Sequence, residues 1–112
     1  MMKTNLKVIA MISLYQVSST ANRALRKANL PGSFDYTIGL FKPLQNLHLY
    51  EHVADLDVTD LEDAFEVGNI GPQSKITRLG PMHSISCGDI LVHEGKTFVV
   101  ASFGFDELEV TI

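Results

Sequence analysis

Apolar side chains recur along this chain in two rhythms, and the changes of rhythm mark its elements. Leu6 to Leu14 is an aliphatic and β-branched run with few polar breaks, which predicts a central strand covered on both faces. Ser18, Ser19 and Thr20 then supply N-cap candidates for a helix. Ala21, Ala24, Leu25 and Ala28 follow at i, i+3, i+4 and i+7, the spacing of one buried helical stripe. Arg23, Arg26 and Lys27 point away from that stripe. Asn29 with Pro31-Gly32 ends the helix, because proline cannot continue it and disfavours helical geometry in the residue before it. Phe34 to Leu40 alternates large apolar residues with Asp, Thr and Gly at period two, which predicts a half-buried strand that breaks at Lys42-Pro43.

From His48 to Val58, the positions Leu49, Val53, Leu56 and Val58 predict a strand that passes into a helix capped by Thr59 or Asp60. Leu61, Ala64 and Phe65 form the inward stripe of that helix. Gly68 to Pro81 is rich in Gly, Pro, Asn, Gln and Ser, which predicts a connecting loop and the most mobile part of the chain. Ile90-Leu91-Val92, a Glu94-Gly95 turn and Phe98-Val99-Val100-Ala101 form a β-hairpin, with Gly88 and Gly104 punctuating its ends. Leu108 to Ile112 is the last predicted strand. The sum is an α+β fold: a small mixed or antiparallel sheet of about five strands with two helices, ending in a C-terminal β-hairpin.

A length of 112 residues suits a single domain over 1–112, burying roughly two-thirds of the unfolded surface. A hydrophobic fraction of 46% with 20% charged residues is ordinary globular composition and excludes a disordered tail protein. The apolar run Val8 to Leu14 is far shorter than the ~20 residues of a membrane helix. It also lacks the length and small-residue cleavage site of a secretory signal, despite Lys3 and Lys7 before it. The expectation is a soluble, cytoplasmic protein without membrane contact. Cys87 is the only cysteine, which rules out an internal disulfide and suits a reducing compartment.

The net charge of −4 conceals an asymmetry. Residues 1–50 carry six basic residues (Lys3, Lys7, Arg23, Arg26, Lys27, Lys42) against Asp35 alone, a net of +5. Residues 51–112 carry three basic residues against twelve acids, a net of −9. Such polarity steers a partner to one face or lets subunits meet head to tail; the plainer alternative is that opposite charges neutralise across one surface.

The segment from His83 to Leu108 also carries a signature: Ser84, Ser86, Gly88 and Asp89, then a turn, then Ser102, Gly104 and Phe105. It resembles the YodL-like domain of bacteria, mobile elements and phages. That resemblance extends upstream through Leu49-Tyr50-Glu51-His52-Val53 and Leu61-Glu62-Asp63-Ala64-Phe65-Glu66, and so covers about residues 47–108. Two positions depart from the family pattern. Cys87 replaces a small or β-branched residue, and Phe98-Val99-Val100-Ala101 replaces a run that often carries Tyr, Cys and Asp. The resemblance implies protein binding more than catalysis; one bacterial member is associated with interference with the actin-like cytoskeleton that shapes the cell.

Several groups of residues suggest chemistry. Asp55, Asp57, Asp60, Glu62, Asp63 and Glu66 place six carboxylates in twelve residues. This is either a partner-binding acidic patch that mimics a phosphate backbone, or a solvated strand end and a helix N-terminus where the dipole favours anions. The spacing does not fit a calcium loop, since the turn glycine and the closing bidentate glutamate are not at the required offsets. Phe103-Gly104-Phe105 is either an exposed aromatic patch that anchors a partner or a turn in which one ring caps the core. His48, His52, His83 and His93 are too scattered for a zinc spacing; His48 and His52 share a face of the predicted strand, but roughly 13 Å apart. Cys87 with His83 lacks an oriented third group for nucleophilic catalysis and reads as a small buried thiol. Ser84 and Ser86 read as satisfying loop backbone groups.

With no phosphate loop, dinucleotide fingerprint, metal cluster or paired catalytic carboxylates, the expectation is a protein that is not an enzyme and takes no cofactor. The leading expectation is a small accessory protein, phage or mobile-element encoded as the resemblance implies, that binds a host protein and inhibits or modulates it. The alternatives are a nucleic-acid or nucleotide-binding module using the Arg23, Arg26 and Lys27 face, which the acidic total disfavours, and a homo-oligomeric structural protein.

Overall fold

A computed structural model describes residues 11–112, and strand β1 (Ile12–Val17) takes the C-terminal end of the long apolar run and continues beyond it. Residues 6–10 of the predicted strand, with Lys3 and Lys7, lie outside the described residues. Five more strands follow among the described residues: β2 (Tyr50–Leu56), β3 (Ile76–Arg78), β4 (Ile90–His93), β5 (Lys96–Val100) and β6 (Phe105–Leu108). They form one sheet in the order β3-β2-β1-β4-β5-β6, antiparallel at every pairing. Two α-helices, α1 (Ser19–Lys27) and α2 (Leu61–Asn69), complete the α+β architecture together with short 3₁₀ turns. β1 is central, as its run predicts.

Directly opposed residues share a face of a sheet, so the register sorts the side chains. Ile12 faces Leu56, and Leu14 faces both Ala54 and Leu91; these five are fully buried on the face that packs with Ala64 and Val67 of α2 and with Ile85. Tyr15, Ile90, Val99 and Asp106 lie on the opposite face. There Ile90 and Val99 are fully buried, and the Tyr36 hydroxyl donates to Asp106, which brings the segment after α1 against this side. Ser13 and Tyr15 stay partly open, so β1 is covered fully on one face only. A bulge shifts the register between Leu14 and Tyr15, where β2 inserts Val53.

The β4–β5 hairpin matches its sequence pattern. Glu94 and Gly95 have φ of 51° and 79°, the paired left-handed values of the tight turn that suits the twist of two antiparallel strands. The final strand differs from expectation. It is Phe105–Leu108 and not Leu108 to Ile112, because Ala101 N–H donates to Gly104 O (3.0 Å) and the chain reverses at Gly104, φ +77°, early enough for Phe105 to face Val100.

Four further expectations are corrected. Phe34 to Leu40 is not a strand; Ser33–Ile38 forms a 3₁₀ turn, with Asp35 accepting the Gly32 N–H (3.0 Å) and returning its own N–H to Gly32 O (2.9 Å). This local side-chain bond competes successfully with strand pairing and leaves Phe34, Ile38 and Leu40 exposed. The predicted loop from Gly68 to Pro81 contains a 3₁₀ turn, Gln73–Lys75, and edge strand β3, whose three residues pair with β2. On α1, capped by Ser18 Oγ accepting the Ala21 N–H (3.0 Å), the buried position is Asn22, whereas Ala24 and Ala28 are exposed. On α2, capped by Asp60 as predicted, Ala64 is joined by Val67, while Phe65 is 40% exposed.

Candidate functional site

The signature residues fall into two turns with opposite characters. The first leads into β4. Asp89 is 1% exposed, and its Oδ2 accepts the Ser86 N–H (2.9 Å) and the Gln16 side-chain amide (3.0 Å); its own N–H donates to Ser86 O (3.1 Å). Gln16, buried on β1, also donates to His83 O (2.9 Å) and accepts the His83 N–H (3.1 Å), so one strand residue pins both ends of the 83–89 turn. Ser86 Oγ donates to Ser84 O (3.3 Å), in keeping with the backbone-satisfying role expected of these serines. Gly88 has φ +92°, its N–H donates to Val100 O (2.9 Å), and its carbonyl accepts the Tyr50 hydroxyl. A Cβ there would sit 2.0 Å from Ser33 O, so only glycine fits.

Asp89 Oδ1 is buried without a hydrogen-bond partner. Burial pushes this carboxyl up to about 6, against the opposing pull of the Ser86 N–H, the Gln16 amide and the nearby His83. Burial is also the main cause that raises the Tyr50 hydroxyl, with the Asp89 charge adding to it.

The second turn joins β5 to β6. Phe105 packs against the core cluster, and Gly104 permits the reversal, so the core-capping alternative holds for this ring. Phe103 is the opposite: it is 95% exposed. Beside it lies a cleft of about 250 Å³ lined by Phe65, Val100, Ala101, Ser102, Gly104, Phe105 and Glu62. The aromatic turn and helix α2 thus meet at one site.

The acid cluster is divided by the fold. Asp55 lies on β2, where it accepts the Ser13 hydroxyl (3.0 Å) and pairs with His52 Nε2 (2.8 Å). Asp60 is spent on capping α2 through the Asp63 N–H (2.8 Å). Asp57, Glu62, Asp63 and Glu66 are exposed, and of these Glu62 lines the cleft. The dipole account fits Asp60, Glu62 and Asp63, all at the N-terminus of α2.

The remaining candidates are separated. The Cys87 thiol donates to Ala101 O (3.5 Å), while the His83 ring contacts Gln16 and the carbonyls of Ser84 and Val17. His48 sits in a 3₁₀ turn, and His52 stacks on Tyr15 with ring centres 4.8 Å apart. No group of three or more His, Cys, Asp and Glu residues able to hold a metal ion occurs among the described residues. No helix among them is long and apolar enough to cross a membrane. Arg23, Arg26 and Lys27 are all exposed on α1; the two arginines border a second, larger cleft and Lys27 does not.

The polar residues that organise this region, Gln16, Asn22 and Ser33, carry no motif. Their one signal in the sequence is position: Gln16 interrupts the apolar beat of β1 at a position that alternation would fill with a hydrophobe. No family model matches this chain, and no curated protein or solved structure matches it either.

Proposed function

We propose that the chain is a small non-enzymatic protein-binding module that docks a partner protein at the α2 and β5–β6 turn cleft. The observation that carries this reading is Phe103, a phenylalanine 95% exposed beside an apolar-lined cleft whose other wall is an acidic helix. An aromatic ring held on a short turn loses little conformational freedom on binding and supplies a large apolar contact, which is the character of an interface hot spot. Glu62, Asp63 and Glu66 form a negative rim suited to a partner segment with an apolar anchor flanked by basic residues, and such a rim acts mainly on association rate. The YodL-like resemblance of residues 47–108 supports a phage or mobile-element origin and a host target in the cytoplasm, which the module would inhibit by occupying a functional surface.

The test is capture from a bacterial host by a tagged copy at low salt, alongside Phe103→Ala and a triple amide variant of Glu62, Asp63 and Glu66. The expected result is one stoichiometric protein lost with Phe103→Ala, at a cost of ~2 kcal/mol or more, and weakened in the amide variant. Recovery of only self-associated chain, equally in all three, would assign the surface to homo-oligomer contacts and overturn the reading.

A further inference from the structure

The two helices differ at their first turns: α2 carries Glu62 and Asp63 there, and α1 carries no acid. Beside the start of α1 lies a cleft of about 520 Å³, larger than the one at Phe103 and sharing no lining residue with it. Its walls include Ser19, Arg23 and Arg26 from α1, Phe34 from the following 3₁₀ turn, and His83 and Ser84 from the signature turn. We propose that this cleft binds a small phosphate-bearing ligand with a flat aromatic body, of the mononucleotide class.

Charge is the first argument. None of the lining residues is acidic, although the protein as a whole is. Arg23 and Arg26 make no ion pair among the described residues, and residues 1–10 contain no acid that would pair with them. Two guanidiniums one turn apart on a helix offer planar, forked donors to phosphate oxygens, which a lysine does not. Ser19 and Ser84 add hydroxyls, and the dipole at the start of an acid-free helix favours an anion in the same place.

Rigidity is the second. The cleft wall is held by Asn22, 4% exposed, whose amide donates to Ser33 Oγ (3.0 Å) and accepts the Ser33 N–H (2.9 Å). The opposite wall is the 83–86 segment fixed by Gln16. Asp89 turns inward toward Gln16 and Ser86 N–H and contributes nothing to the lining. Shape is the third. Phe34 is 51% exposed on the wall, a ring face available for stacking, and the volume lies within the range of small-ligand sites, about 300–1,000 Å³.

Calorimetric titration of the full chain with inorganic phosphate, adenosine, adenosine monophosphate and uridine monophosphate tests this, with circular dichroism to confirm that each variant is folded. Both monophosphates are expected to bind and adenosine not. Arg23→Gln and Arg26→Gln should each weaken binding about tenfold, Lys27→Gln should leave it unchanged, and Phe34→Ala should weaken the nucleotides while sparing inorganic phosphate. Absence of binding by every phosphate compound overturns the proposal, as does an equal loss in Lys27→Gln, which would mean diffuse attraction and no defined cleft. Binding of a single-stranded oligonucleotide far tighter than the monophosphates, with affinity rising with length and falling steeply with salt, would assign the surface to nucleic acid and also overturn it.

Discussion

The turn before β4 and the turn before β6 use similar residues, a serine, a glycine with positive φ and a neighbouring apolar or acidic side chain, yet they are held in opposite ways. In the 84–89 turn each prominent group is engaged by the fold: Asp89 holds Ser86 and Gln16, Gly88 lies against Ser33, and Ile85 is buried against Gly68. In the 101–105 turn the backbone closes on itself through Ala101 and Gly104, and Phe103 is left in solvent with no internal contact to account for it. A motif residue that the fold already explains is weak support for binding, whereas a large apolar residue that the fold does not explain is stronger support. The lesson is that Gly104 and Phe105 serve the fold as Gly88 and Asp89 do, and the side chain left without a structural role is Phe103, which lies between signature positions and is not one of them.

The sharpest way to break this comparison is to substitute its two glycines. Gly88→Ala forces a Cβ to within 2.0 Å of Ser33 O at φ +92°, so a loss of about 3 kcal/mol or more in urea unfolding is expected. Gly104→Ala has the same sign of φ but nothing within 4 Å, and should lose only about 1 kcal/mol. Equal losses at both would remove the distinction between the turns.

Asp89 provides a pH signature that belongs to the first turn alone. Its folded-state carboxyl is raised, to about 6 from 3.8, so the native state holds the proton to higher pH than the unfolded chain does. The stabilisation from protonation is therefore fully present below about pH 4 and is lost as pH rises through 6, on the order of 2–3 kcal/mol across that window. Asp89→Asn cannot ionise, and urea midpoints measured from pH 4 to 7.5 should lose this component of the slope. An unaltered slope would show that the carboxyl is not responsible. Tyr50→Phe, which removes the hydroxyl that donates to Gly88 O, is expected to cost about 1 kcal/mol at neutral pH without altering the slope.

Much of the frame was legible in the sequence because it follows periodicity. Strand β2, helix α2 with its Asp60 cap, and the Glu94-Gly95 hairpin all follow from alternation, capping and turn chemistry. Phe34 to Leu40 shows where that reasoning stops: its period of two was real, but Asp35 bonded its own backbone and folded the segment into a 3₁₀ turn. The α1 stripe misled for a related reason, since alanines carry little apolar surface and the helix is oriented instead by Asn22 bonding to Ser33, a pairing across eleven residues that no local pattern reveals. For the site, the sequence indicated the aromatic triplet and the acids separately. Only the sheet order and the placement of α2 show that Glu62 and Phe105 line one cleft while Asp55 and Asp60 are engaged elsewhere.

The central claim is that Phe103 is not needed by the fold, and urea unfolding of Phe103→Ser beside the parent protein tests it without knowledge of any partner. Unfolding free energies within about 0.5 kcal/mol of each other are the predicted result, as for an exposed side chain with no structural role. A loss of about 2 kcal/mol or more would show that the ring is buried in the folded protein and would contradict the account.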